Sequence, residues 1–300
     1  MERFESRVGP DAVALETTLL CHGVPRADAL PLHRALCALV RRAGAEPALV
    51  GVVDGRAIVG LDDDELERLL DAPSVPKLNV ANLGLALARG SHGATTVSAT
   101  MELAAAAGVQ LFATGGLGGV HKGYGTALDV SADLAALARF PVAVVASGVK
   151  SILDVVATRE ALEALGVPVV GFRTDRFPAF YERESAAGVD GRFDSITELA
   201  AYVRLELART GRGVLVVNPI PEADAVSSTN FATWLRAAEA EASDAGGRDR
   251  TPAVLAALHR VSGGATLRAN LALVKANAHL AGQLRGAMSR LDHAELSRDE

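Results

Sequence analysis

The sequence holds 300 residues, 49% hydrophobic but only 4% aromatic, which predicts a sizeable core built mostly of Ala, Val and Leu. A net charge of -6 argues against the clustered basic face that nucleic acid requires, yet leaves room for a local anion site. Two cysteines give neither a disulfide framework nor a metal spacing, and Asp, Arg, Lys or Gly interrupts each apolar stretch before it is long enough to cross a bilayer.

In chain order, MERFESRVGP is charged from its second residue and has no apolar core for a secretory signal, so a cytoplasmic protein with no membrane partner is expected. DAVALETTLL (11–20) predicts a first strand with Glu16 near its end, and CHGVPRAD a loop broken by Gly23 and Pro25. Leu30 to Arg42 repeats apolar residues at helical spacing and stops at Gly44. EPALVGVVDGRAIVGL predicts two strands around an Asp54-Gly55 hairpin turn. Asp62 and Glu65 have the spacing of a capping box that opens the helix DDDELERLLDA.

From Thr95 the pattern alternates. It predicts a helix over 98–107, a strand in VQLFAT, a glycine-rich loop in GGLGGVHKG and a helix from Ser131 to Arg139. A strand from Val142 to Ala146 and a helix from Ser151 to Leu165 follow, and VPVVGF and GVLVVNPIP predict two more strands. After Val217 the chain reads as helical, ending in a frayed tail that includes DHAELSRDE. Strands alternating with helices predict an α/β protein: a three-layer α/β/α sandwich with a mostly parallel central sheet and a helical C-terminal part. No linker, repeat or composition break divides residues 1–300, so a single domain is expected.

Chemistry concentrates at the strand ends. In VAVVASGVKSILD (142–154), Lys150 comes directly after a strand apolar enough to be buried on both faces. Lys77, Lys122 and Lys150 each lie near a strand end or a glycine, and ligands of open α/β sheets collect at the carboxyl ends of strands. A lysine held in an apolar wall loses solvation, which lowers an amine's pKa and frees it as a nucleophile. The competing explanation, an ordinary surface lysine, suits Lys122 best. Glu16 lies inside an apolar strand, where burial raises a carboxyl's pKa toward that of a working general acid.

Asp129 and Asp133, in TALDVSADL, fit two accounts: capping of a helix start, or, for one of them, ligation of a hard cation such as Mg²⁺ or Mn²⁺. Ser131 and nearby amides can hold a phosphate at the same helix start. His22 is expected to be a core histidine satisfied by backbone, and Cys21 a small buried hydrophobe. Asn218 in NPIP and Asn270 in LRANLALV are amides against apolar segments, and Asn270 suits a ligand contact about as well as helix packing. Gly115 to Gly119 lacks the third glycine of a dinucleotide fingerprint, because His121 stands there, so no organic cofactor is expected.

ALETTLLCHGVP, GATTVSATM, LFATGGLGGVHKG, LDVSADLAALA, SGVKSILD, GVPVVGF, VVNPIPEADA and ANLALVKANAHLA together resemble the pseudouridine-5'-phosphate glycosidases, a family with relatives named after indigoidine biosynthesis. The resemblance runs in register over residues 11–282. It implies an α/β/α homotrimer with one divalent metal, typically Mn²⁺, that reversibly cleaves the carbon–carbon bond between C1 of ribose 5-phosphate and C5 of uracil. Carried over by motif, Lys150 corresponds to the Schiff-base nucleophile, Glu16 to the proton donor and Lys77 to a second, substrate-contacting lysine. Asp129 corresponds to the metal ligand, Ser131, Ala132 and Asp133 to a substrate-binding segment, Val97 to a backbone contact and Asn270 to an amide that reads the base. Such chemistry accounts for a lysine behind a buried strand, since a C-glycoside has no oxygen leaving group and an imine at C1 supplies the missing electron sink.

One segment departs from the family pattern. Where members usually continue with Ser-Arg-Arg-Asp, Lys77 and Leu78 are followed here by Asn79, Val80, Ala81 and Asn82, which removes two guanidinium groups and a carboxylate. The expectation that follows is a biosynthetic enzyme joining ribose 5-phosphate to an aglycone other than uracil. The alternatives are a pseudouridine-5'-phosphate glycosidase that tolerates the change, and a phosphosugar-binding protein without catalysis.

Overall fold

The computed structural model describes residues 3–242 and 250–296. Its strands are β1 (Phe4–Ser6), β2 (Ala12–Glu16), β3 (Glu46–Val53), β4 (Arg56–Val59), β5 (Lys77–Leu78), β6 (Gly93–Thr95), β7 (Leu111–Ala113), β8 (Ala143–Ala146), β9 (Val169–Phe172), β10 (Gly191–Phe193) and β11 (Val214–Val217). All belong to one sheet, in the order β1-β4-β3-β2-β7-β8-β11-β9-β10, with β6 paired to both β3 and β5. Only the β3 pairings with β4 and β6 are antiparallel. The helices are α1 (Thr17–His22), α2 (Arg26–Arg42), α3 (Asp63–Asp71), α4 (Leu83–Arg89), α5 (Val97–Ala106), α6 (Tyr124–Ala127), α7 (Ala132–Arg139), α8 (Val155–Ala164), α9 (Ile196–Thr210), α10 (Ser228–Glu241), α11 (Arg250–Val261) and α12 (Ala265–Leu296).

Strand periodicity explains the layers. Successive side chains of a strand point to opposite faces, so a strand covered on both sides feeds two cores at once. Val13, Leu15, Leu111, Val145 and Val216 pack on one face with residues of α2, α9, α11 and α12. Ala12, Ala14, Phe112, Val144 and Val217 pack on the other with residues of α5, α7 and α8. The predicted α/β/α sandwich is therefore the observed one, with the C-terminal helices gathered on a single face.

Local signals produced the expected elements. Asp54 and Gly55 both have positive φ, 49° and 69°, as a two-residue hairpin turn between twisted strands requires. The Asp62 carboxylate accepts from the Glu65 amide at 2.8 Å, and the Glu65 carboxylate accepts from the Asp62 amide at 3.1 Å, closing the capping box. Other boundaries shift. The first strand stops at Glu16 instead of running on to Leu20, because Thr17 is buried, donates to the Val50 carbonyl and accepts from the Thr95 amide. Helix α8 starts four residues later than predicted, where Asp154 accepts from the Ala157 amide. The tail predicted as frayed is helical through Leu296, with Asp292 held by Arg204 and Arg285 at 3.0 and 3.1 Å. Residues 297–300 of that tail lie outside the described residues. Among the described residues, no helix is long and apolar enough to cross a membrane.

Candidate active site

Parallel strands β2, β7, β8 and β11 lie side by side and end on the same edge, so whatever follows each of them converges there. Glu16 ends β2 just before the first residue of α1, Thr114 follows β7, Lys150 lies four residues past β8, and Asn218 follows β11. A cavity of 340 Å³ opens at this edge, walled on the far side by α11 and α12. Glu16, Lys77, Lys150 and Asn270 all line it. Four residues that the sequence singled out, spread over more than 250 positions, thus share one space.

The backbone fixes Lys150 firmly. Its amide donates to the Leu117 carbonyl at 3.1 Å, and the Leu117 amide donates to the Gly148 carbonyl at 3.0 Å, so the chain past β8 stays paired with the glycine-rich loop. Next to it, the Ser151 hydroxyl donates to the Ala179 carbonyl at 2.5 Å. Gly148 has a φ of 74°, and a Cβ there would overlap the Pro178 carbonyl oxygen. Gly148→Ala is expected to cost about 2–4 kcal/mol of stability and to shift Lys150, measured as a lowered urea midpoint together with reduced turnover.

Electrostatics in the cavity are set by burial and by four charges: Glu16, Lys77, Lys150 and, from behind the glycine-rich loop, Asp133. Glu16 accepts a hydrogen bond from the Thr114 hydroxyl, and its carboxyl is pushed up to about 7, chiefly by loss of solvation and only partly countered by Lys150 and Thr114. The Lys77 ammonium is held below the ordinary lysine range, first by desolvation and then by the like charge of Lys150, although much of its residue surface remains open. His22 is not the core histidine predicted. It sits on the accessible side of the cavity, and burial of its ring, then Lys77, push its pKa down.

Asn270 is 6% exposed, and its side-chain Oδ1 has no hydrogen-bond partner among the described residues. A buried, unpaired amide oxygen is costly, and one lining a cavity is an acceptor waiting for a donor. Two turns along α12, Asn277 is fully buried. Its amide nitrogen donates to the Thr114 carbonyl at 2.8 Å and to Ser147 Oγ at 3.1 Å, while its oxygen accepts from Asn218 at 3.0 Å. This side chain ties the ends of β7, β8 and β11 to the helix, and it accounts for Asn218 as a structural partner. Residue type alone did not reveal Asn277, although its seven-residue spacing from Asn270 puts both on one helix face.

The remaining predicted residues form a second group behind the glycine-rich loop and do not line the cavity. Ser131 caps α7 by accepting from the Asp133 amide at 3.2 Å. The Asp133 carboxylate is buried and accepts from the Ser98 amide at 3.0 Å and the Gly118 amide at 2.8 Å, which joins the starts of α5 and α7 to the loop. Val97 is the first residue of α5 and Ala132 the first of α7, positions whose amides find no acceptor within their own helix. Asp129 is 62% exposed, with His121 Nδ1 3.6 Å away. Among the described residues no three His, Cys, Asp or Glu side chains gather into a metal cage. A lone accessible carboxylate nevertheless suits a hard cation that keeps most of its waters. Lys122 is a surface residue.

The altered segment is a scaffold for Lys77. Asn82 Oδ1 accepts from the Asn79 amide at 2.7 Å, Asn79 Oδ1 accepts from the Ala81 amide at 2.9 Å, and Asn82 donates to the Lys77 carbonyl at 3.1 Å. None of residues 79–82 lines the cavity.

The chain is 49% identical over 288 residues to a pseudouridine-5'-phosphate glycosidase of Methylobacterium nodulans, covering 94% of this chain and 86% of the relative. It is 45% identical over 282 residues to the Nocardioides protein of the same name, covering 93% and 92%. Among solved structures, an indigoidine synthase A-like protein from Thermotoga maritima matches with a TM-score of 0.87 and 35% identity, covering 94% of this chain and 95% of that one. The prealnumycin C-glycosynthase AlnA, in complex with ribulose 5-phosphate, matches with a TM-score of 0.87 and 36% identity, covering 94% and 93%. The sequence model described as indigoidine synthase A like protein matches residues 7–287, and so a chain with two lysines and a carboxyl gathered at one sheet edge belongs to the indigoidine synthase A-like family.

Proposed function

We propose that the protein cleaves, and in reverse forms, the carbon–carbon bond between C1 of ribose 5-phosphate and C5 of uracil in pseudouridine 5'-phosphate. One observation carries this reading: a single cavity holds two lysines, a carboxyl with a pKa of about 7 and an unpaired amide oxygen. A uracil joined through C5 keeps both ring N–H groups, which are the donors that a bare Asn270 Oδ1 requires.

The chemistry balances with these groups. The Lys150 amine bonds to C1 while the C1–O4 bond breaks, and O4 takes its proton from Glu16. The new C1 ammonium returns a proton to the Glu16 carboxylate, and the freed nitrogen lone pair then forms a C=N bond as the C1–C5 bond breaks, its electron pair staying with C5, which takes that proton from Glu16. Water adds to the iminium carbon, releasing ribose 5-phosphate and regenerating the amine. Lys77, beside Glu16 and Lys150, contacts the sugar phosphate as a positive partner. The phosphate lies where the starts of α5 and α7 meet, near the amides of Val97 and Ala132.

Mn²⁺ or Mg²⁺ held by Asp129 through one carboxylate and waters would offset phosphate charge there. Asp129→Ala is expected to weaken Mn²⁺ binding at least about tenfold in a direct titration followed by electron paramagnetic resonance, and to raise KM with it. Unchanged Mn²⁺ affinity would remove Asp129 from the site. The homotrimer, the single domain and a cytoplasmic location belong to the same reading.

The expectation of a non-uracil aglycone rested on Asn79 to Asn82. Since those residues support Lys77 and stay off the cavity wall, and since identity is higher to the glycosidases than to the C-glycosynthase, uracil is the better-supported base. Synthesis of another C-glycoside is the second reading, favoured by the fold match to AlnA. A purely phosphosugar-binding protein would need neither a carboxyl poised near neutrality nor two amines in one cavity. Incubation with pseudouridine 5'-phosphate and Mn²⁺ decides: uracil release supports the first reading, and its absence alongside condensation of ribose 5-phosphate with another aglycone supports the second.

A further inference from the structure

The cavity wall contributed by α11 carries a histidine that the mechanism does not use. His259 lines the cavity, and its ring Nδ1 lies 2.8 Å from the hydroxyl of Thr266, a fully buried residue in the first turn of α12. Thr266 Oγ1 lies 2.9 Å from Ser262 Oγ, and Ser262 Oγ lies 3.3 Å from the His259 carbonyl oxygen. These three contacts contain only three protons, so their directions can be counted. A carbonyl can only accept, so the Ser262 proton goes to the His259 carbonyl. The Ser262 oxygen must then accept from the Thr266 hydroxyl, which leaves Thr266 Oγ1 to accept from the ring. Only this assignment satisfies all three contacts, and it puts the imidazole proton on Nδ1.

The Nε2 of His259 is then a bare lone pair with no partner among the described residues. Burial also holds the imidazole below its ordinary pKa, which keeps it neutral. Thr266 and Asn270 are four residues apart on α12, hence neighbours on one face, so the ring held by Thr266 and the Asn270 amide line the same side of the cavity. From these two side chains the wall therefore presents the His259 lone pair together with an amide, Asn270, that can accept through its oxygen and donate through its nitrogen. Gly115 packs against the same oxygen, and a Cβ on it would stand 3.2 Å from Leu273, 3.3 Å from Phe180 and 3.4 Å from Asn270 Oδ1, so a side chain there would crowd the end of this wall.

We infer that His259 is a specificity-determining residue of the aglycone subsite, accepting through Nε2 an N–H of a base that offers two ring N–H donors, the other of which pairs with Asn270. This inference rests on the function proposed above and narrows its substrate to cyclic ureides and imides with both nitrogens unsubstituted. A base with a ring acceptor in place of the N–H that faces His259 would meet a lone pair there and be rejected.

The test pairs a variant with substrate analogues. Steady-state rates are measured for the native protein and His259→Ala with pseudouridine 5'-phosphate and with its N1-methyl and N3-methyl derivatives. His259→Ala is expected to raise KM about tenfold, with kcat changed far less, and one of the two methyl derivatives is expected to lose about tenfold in kcat/KM with the native protein. That same derivative should be no worse than the parent compound with His259→Ala, because its missing partner is already gone. His259→Gln, which can present an amide oxygen, should recover part of the loss. KM for ribose 5-phosphate in the reverse direction should stay unchanged, showing that the variants are folded. An unchanged KM for the nucleotide, or an equal methyl penalty in both proteins, would overturn the inference while leaving the reaction intact. Failure of the native protein to release uracil would overturn the functional reading itself, before any variant is compared.

Discussion

Replacing Lys150 with alanine is expected to abolish uracil release from pseudouridine 5'-phosphate, a loss on the order of 10⁴-fold or more. The size of the effect follows from the bond. Without a nitrogen lone pair at C1 there is nothing to push the C1–C5 pair into the base, and water cannot take over that task. Lys150→Arg should be equally inactive, because a guanidinium keeps the charge but does not condense, and this separates a nucleophile from a counter-ion. Lys77 is the competing amine, since it shares the cavity and sits at a lowered pKa. Borohydride reduction in the presence of ribose 5-phosphate, followed by peptide mass spectrometry, should find the adduct on the peptide that carries Lys150. An adduct on Lys77, or one that survives in Lys150→Ala, would reverse the two assignments.

Glu16→Gln should slow turnover by about 10²–10³-fold, since a glutamine holds the position but has no proton to give. The pH profile should identify the role. With its pKa near 7, the Glu16 carboxyl is protonated on the acid side and loses its proton as pH rises. The native rate should therefore fall above pH 7, and the residual rate of the glutamine variant should lack that limb. Stability moves in a related way. The folded pKa of about 7 lies above the ordinary 4.5, so the stabilising contribution of Glu16 is complete below 4.5 and is lost as pH rises through 7. Because the cavity gives the carboxyl some access to water, the loss is on the order of 2–3 kcal/mol. Urea unfolding should show Glu16→Gln more stable than the native protein at pH 8, with the difference gone near pH 4. A difference that persisted at pH 4 would mean that packing, not ionisation, distinguishes the two proteins.

The parts of the fold legible in the sequence were those fixed by neighbours in the chain. Alternation in the strands, the Asp62 capping box and the Asp54-Gly55 turn each need only a few adjacent residues, and each formed as expected. The end of β2 was not legible, because Thr17 takes its partners from Val50 and Thr95. Strands β1 and β10 escaped notice because each is three residues long and exists only by pairing with β4 or β9. At the site, Glu16 and Lys150 stood out as charges against apolar strands, and the family resemblance supplied their roles. His259 and Asn277 did not stand out. Polar residues are common on helices, and nothing local tells which of them turn inward to a cavity or to strand ends far off in sequence. Asp133 shows the converse, a residue singled out from the sequence whose carboxylate is occupied by two backbone amides.

The wall that completes the cavity comes from α11 and α12, after every other group in it has been synthesised. Chains emerge from the ribosome N-terminus first, so a nascent polypeptide carries Glu16, Lys77 and Lys150 without the roof that later covers them. During that interval a small aldehyde can reach the same amines without passing that wall. Docking of the last two helices thus encloses amines that the unfinished chain leaves open.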